Sequence, residues 1–180
     1  MEPIKDNIFY IGIENPVILI DNSDTLCDVE IRGSEAVEVI KAERDCIYYI
    51  TPKHKNKPSF IEVNNEKIDF SHNLKPIPNP TIKLNLDEGF ISLNDIVTKN
   101  FLPIQLSYFN YDAQFKIESV FIRIIRDNKL IYTETSKYGR FSNEFKQSLK
   151  VGDNVDFSNI IIIAPEGSRR IEGIEFKIKN

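Results

Sequence analysis

Three prolines fall within five residues, at Pro76, Pro78 and Pro80, in the run Lys75-Pro76-Ile77-Pro78-Asn79-Pro80. Each ring fixes φ, removes a backbone donor and pushes the preceding residue toward extended geometry. Such a run neither continues a helix nor sits inside a sheet. It predicts a first unit at residues 1–75, a semi-rigid connector at 76–80 and a second unit at 81–180. Charge divides with it: residues 1–75 carry nine basic and fourteen acidic side chains, and residues 76–180 carry fourteen and thirteen.

The apolar residues that must fill the cores are mostly Ile, Val, Phe and Tyr, which suit a pleated, half-buried surface. Short apolar runs separated by turn residues recur along both units. In the first, Asn7 to Ile13 opens as a strand, Glu14-Asn15-Pro16 breaks it, and Val17 to Ile20 resumes. Leu26 to Ile31, Ala36 to Ile40 and Cys46 to Ile50 follow. Asn64-Asn65 joins two further strands as a two-residue turn. In the second unit, Thr81 to Leu86 and Leu102 to Phe109 read as strands. Ser92 is placed to cap one helical turn, with Asp95 at its third position. The expected fold class is all-β: two small Ig-like β-sandwich domains in tandem with at most a short helical turn.

Two later segments break the alternation that a one-face strand should show. Val120 to Ile125 is apolar on both sides apart from Arg123, and Asn159 to Ala164 has the same character. They read either as central strands under a loop or the neighbouring unit, or as an exposed apolar face covered by a second copy or a partner. The second reading makes Phe121, Ile122, Ile124, Ile161 and Ile163 interface candidates. Turn chemistry singles out Gly12, Asn15, Pro16, Gly152, Asp153 and Gly167 as structural positions, with Pro76, Pro78 and Pro80 in the connector. Gly173, inside the last strand pattern, reads as a bulge.

Chemistry is sparse. His54 and His72 lie in polar loops without a second ligand at suitable spacing. The pairs Asp87–Glu88 and Asp153–Asp156 flank predicted turns, where carboxylates are ordinary solvated residues. Tyr48-Tyr49 and the Tyr108–Tyr111 stretch offer rings for sugar stacking, but strand neighbours point to opposite faces. No catalytic residue, cofactor or metal is expected. A net charge of −4, without clustered Lys and Arg, argues against nucleic acid. No apolar run approaches membrane-spanning length, so this segment is not expected to contact a membrane directly. Cys27 and Cys46 read as two small buried hydrophobes or as a bridge between facing strands. Residues 1–6 lack a signal-peptide core, which leaves a cytoplasmic protein and an excised piece both open.

The ordered motifs also resemble a known family. Asn7-Ile8-Phe9-Tyr10-Ile11-Gly12-Ile13-Glu14-Asn15-Pro16-Val17 resembles the opening of the third periplasmic domain in the GldM/PorM gliding-motility and type IX secretion family. Phe70 through Pro80 resembles that family's proline-rich junction, with Asn79 in place of its usual Asp. Phe109-Asn110-Tyr111-Asp112, Phe115 to Val120, Gly152 to Ile160 and Pro165 to Ile171 resemble later segments, with Glu166 replacing an Asp.

The resemblance implies the two C-terminal domains of an inner-membrane-anchored periplasmic protein. Such a module is non-enzymatic, forms a homodimeric shaft and contacts other secretion and motility proteins, including an outer-membrane-associated ring. The family's membrane helix and first two periplasmic domains have no counterpart in these residues. The alternative reading is a stand-alone periplasmic β-sandwich that binds a glycan or a peptide.

Overall fold

The structure, a computed structural model, describes residues 2–3, 8–21, 24–43 and 45–180. It is all-β and sandwich-like, with two six-residue helices. The chain separates into two compact units: Met1–Pro78 with Phe109–Ala113, and Asn79–Tyr108 with Gln114–Asn180. The division thus falls between Pro78 and Asn79. A loop expected in the second unit belongs to the first, where Tyr10 packs edge-on against Phe109 and Tyr111 at 4.8 and 5.1 Å. Within the proline run, Ile77 and Pro80 are buried.

In the first unit, β1 (Asn15–Ile18), β2 (Ile31–Gly33), β3 (Val37–Lys41), β4 (Ile47–Pro52), β5 (Phe60–Val63) and β6 (Glu66–Asp69) form two sheets. One runs Glu2–Pro3, β1, β4, β3 and the other β6, β5, β2. Their inner faces meet through Val17, Tyr48 and Ile50 on one side and Ile61 and Val63 on the other. The β5–β6 turn is the expected one. Val63 pairs with Glu66, and Asn64 and Asn65 both take positive φ, at 49° and 68°. The opening strand is shorter than its apolar run suggests: Phe9–Tyr10 is extended, Ile11 to Ile13 turns, and Asn15-Pro16 starts β1 instead of breaking it. Asn7 lies outside the described residues. The alternating stretch from Leu26 to Glu30 forms no strand.

That stretch is held covalently. Cys27 and Cys46 form a disulfide, with Cα atoms 4.4 Å apart. Each lies in a loop or turn, not on a facing strand, and each is only half-buried. The reading as two buried hydrophobes is therefore corrected. The bridge closes a loop with a sequence separation of 19, and Tyr48 Oη donates to the Cys27 carbonyl at 2.9 Å beside it. Closing a loop of that length should restrict the unfolded chain enough to matter. We expect Cys27→Ala/Cys46→Ala, or reduction, to lower the first unit's stability by roughly 2 kcal/mol, measurable by urea unfolding with and without reductant.

The second unit is built on a six-stranded sheet. Its elements are β7 (Phe90–Ser92), α1 (Leu93–Thr98), β8 (Lys116–Arg126), β9 (Lys129–Lys137), α2 (Asn143–Ser148), β10 (Asn154–Ala164), β11 (Gly167–Ile171) and β12 (Ile174–Lys179). The order is β7-β12-β10-β8-β9, with β11 also paired to β10. One face carries Val120, Ile122, Ile124, Val155, Phe157 and Phe176, which pack against Ile96 of α1 and Phe141, Phe145 and Leu149 in and around α2. Thr81–Ile82 pairs with Ile104–Gln105, and the longer strands expected around them do not form. The Ser92 cap forms as expected, accepting from Asp95 N–H at 3.0 Å. The helix α2 was not expected; its cap, Ser142, accepts from Phe145 N–H at 3.0 Å.

Bulges explain the two-faced strands. The β8–β10 register slips between Ile117 and Ser119 and again between Ser119 and Phe121. Each slip resets which side chains face inward. Ile117 therefore joins Val120, Ile122 and Ile124 inside. In β10, Asn159 adopts φ 47°, and the inward set changes from Val155 and Phe157 to Ile160, Ile162 and Ala164. Gly173 is a corner between β11 and β12, not a bulge within a strand. A Cβ there would meet the Phe157 carbonyl oxygen at 2.3 Å.

Candidate functional site

The five interface candidates split. Ile122 and Ile124 are fully buried in the second core, which removes them from any surface. Phe121, Ile161 and Ile163 lie on the opposite face of the sheet, and Ile163 is 44 % exposed. That open face is mixed in chemistry. Phe121 stands between Thr135 of β9 and Ser158 of β10, one step from an Arg123–Asp156 ion pair at 2.8 Å. Leu130 and Ile131, at the start of edge strand β9, add exposed apolar surface.

The turn positions are structural. Asn15 is buried to 1 % exposure, and every polar atom of its amide is used. Its Oδ1 accepts from Tyr10 N–H at 2.8 Å, and its Nδ2 donates to the carbonyls of Tyr10, Ile13 and Ile50 at 2.9, 2.9 and 3.0 Å. This closes the turn through Gly12, whose φ is 83°, and delivers Pro16 into β1 opposite Tyr49. In the second unit, Asp153 follows Gly152, at φ 94°. Its side chain is fully buried and accepts from Arg126 Nε at 2.7 Å, Arg126 Nη2 at 2.9 Å and Lys150 N–H at 2.8 Å. The bidentate pairing holds the Arg126 guanidinium above its usual pKa. Gly167 follows the Pro165-Glu166 turn, at φ 125°.

The carboxylate pairs do not converge. Asp87 pairs with Lys179, Asp153 with Arg126, and Asp156 with Arg123. His54 and His72 are exposed. Tyr48 is buried and Tyr49 lies on the other side of β4, while Tyr111 is buried and Tyr108 is fully exposed, so neither set makes a ring platform. A small polar network joins Tyr132, Glu134 and Ser142. Tyr132 Oη donates to Glu134 Oε2 at 2.7 Å, as does Ser142 Oγ at 2.8 Å. Burial pushes the Tyr132 phenol up. Because the same Ser142 hydroxyl caps α2, the network positions that helix.

One cluster escaped sequence reasoning. Phe101 and Arg140 form an antiparallel bridge flanked by Leu102 N–H to Gly139 O at 2.8 Å and Phe141 N–H to Asn100 O at 2.9 Å. Arg140 lies over the Phe101 ring, 5.6 Å from its centroid, and the ring remains 51 % exposed. Lys146 of α2 donates to Asn100 Oδ1 at 3.0 Å. Together with Asn143 these residues line an open groove of about 430 Å³.

No protein-family model matches the chain, and no curated protein matches it in sequence.

Proposed function

We propose that this chain is a non-enzymatic interaction module of a periplasmic shaft in the gliding-motility and type IX secretion machinery, acting as a homodimer that contacts an outer-membrane-associated ring. The observation that carries the reading is how the motif residues are used. Asn15, in the segment that resembles the family's opening, and Asp153, in the segment that resembles its Gly-Asp turn, are committed to holding turns against strands. Motifs that serve geometry suit a part that transmits force better than one that turns over substrate. The Cys27–Cys46 bridge supports an oxidising compartment such as the periplasm, since cytosolic thiols are kept reduced. The open sheet face around Phe121, Ile161 and Ile163 supplies apolar surface for a second copy.

Sedimentation equilibrium and co-purification with ring proteins test the proposal. A dimer is expected, and Phe121→Asp with Ile163→Asp should weaken it by at least about tenfold, since charged groups would enter a desolvated contact. Monomer at all concentrations, together with failure to retain ring proteins, would remove the basis for it.

A further inference from the structure

We infer that the groove between Phe101, Arg140 and Lys146 is a binding site for an acidic, extended peptide segment. The case starts from how the two cations are held. Among the described residues, neither Arg140 nor Lys146 lies within ion-pair distance of a carboxylate. Arg140 is held by the face of Phe101, and Lys146 by the amide oxygen of Asn100. Both anchors fix position without neutralising charge. A stacked guanidinium keeps its planar fork of donors available, the geometry that matches a carboxylate. Of the other arginines in this unit, Arg123, Arg126 and Arg169 are each paired with an acid.

The backbone beneath the site is closely hydrogen-bonded and packed. Arg140 N–H donates to the Lys137 carbonyl at 3.2 Å, closing a turn in which Tyr138 and Gly139 both take positive φ, at 60° and 66°. The Ser136 hydroxyl, on a buried side chain, donates to the Arg140 carbonyl. Gly139 packs so closely on Ile117 that a Cβ would meet its Cδ1 at 2.8 Å. A preorganised site loses little entropy on binding.

The remaining lining chooses between anionic ligands. One face of Phe101 is already covered by Arg140, so the ring offers an edge and one face. That suits an apolar side chain better than a sugar ring that needs an open platform. Asn143 lines the same groove with an amide able to bond a peptide backbone. Glu144, its exposed neighbour on α2, is not among the lining residues.

The test uses the whole chain and a short fluorescein-labelled peptide of alternating glutamate and leucine, followed by polarisation at low salt. Binding is expected, and replacing the peptide's glutamates by glutamine should weaken it by roughly tenfold. Arg140→Gln and Lys146→Gln should each weaken it several-fold and flatten its salt dependence. Phe101→Ala should weaken it without changing that slope. Lys116→Gln, outside the groove, should leave binding intact, and melting curves confirm that each variant is folded. No peptide binding, equal binding by the Arg140→Gln/Lys146→Gln double variant, or binding of an oligogalacturonate in preference to the peptide would overturn the inference. These outcomes do not depend on whether the chain dimerises or meets a ring protein.

Discussion

Asp153→Ala should destabilise the second unit by roughly 3–4 kcal/mol, a loss on the scale of truncating a core side chain. The carboxylate ties the Lys150–Asp153 turn to Arg126 at the end of β8. Removing it strands the Lys150 N–H and leaves the Arg126 guanidinium, 26 % exposed, with only the Ser148 carbonyl at 2.9 Å. A domain's whole stability is about 5–15 kcal/mol, so a loss of this size brings the unit near its unfolding threshold. The midpoint of thermal unfolding should fall by more than about 10 °C. Asp153→Asn keeps an acceptor for Lys150 but removes the charge, and should cost visibly less. If the two variants melt together below the parent, the acceptor for Lys150 N–H contributes nothing and the loss is that of the ion pair; if both melt with the parent, the ion pair contributes nothing and the turn is held by its backbone bonds alone.

Asn15→Ala should destabilise the first unit by roughly 3 kcal/mol. The side chain is neutral, so the cost arises from unsatisfied partners and not from an isolated charge. One amide serves Tyr10, Ile13 and Ile50, and at 1 % exposure no water replaces it without rearrangement. Asn15→Asp is the sharper comparison. Its carboxylate keeps the acceptor for Tyr10 N–H but aims a negative oxygen at three carbonyl oxygens, so it should be worse than alanine. Hydrogen exchange at Tyr10 and along β1 and β4 would report the loss locally. Unchanged protection there would mean that the turn through Gly12 stands without its staple.

Both fasteners were legible as turn chemistry, but their partners were not. Asn15 stands beside a proline in a break between apolar runs, and Asp153 follows a glycine. Nothing local indicates that one would reach Ile50 and the other Arg126. Where a signal is complete within a few residues, the sequence and the structure agree. Asn64-Asn65 makes its turn because both residues tolerate positive φ, and Ser92 caps α1 because Asp95 N–H is one helical turn away.

Features that depend on a partner strand were hidden. The bulges at Ser119 and Asn159 exist only relative to the opposite strand, so the alternation of β8 and β10 looked two-faced and placed Ile122 and Ile124 on a surface instead of in the core. The helix α2 escaped notice because Ser142 is followed at the third helical position by Phe145, not by the Glu or Gln of a capping box. The groove at Phe101 and Arg140 escaped notice because an isolated bridge brings together residues that are far apart in the chain.

The disulfide has a practical consequence that follows from where it sits. Each unit has its own hydrophobic core, and the Cys27–Cys46 bridge belongs to only one of them. A reducing agent therefore acts as a selective perturbant: it should shift the melting of one half of the molecule and leave the other half as an internal thermometer. A two-step unfolding curve in which only one step responds to reductant would assign both transitions at once, without truncating the chain or labelling it.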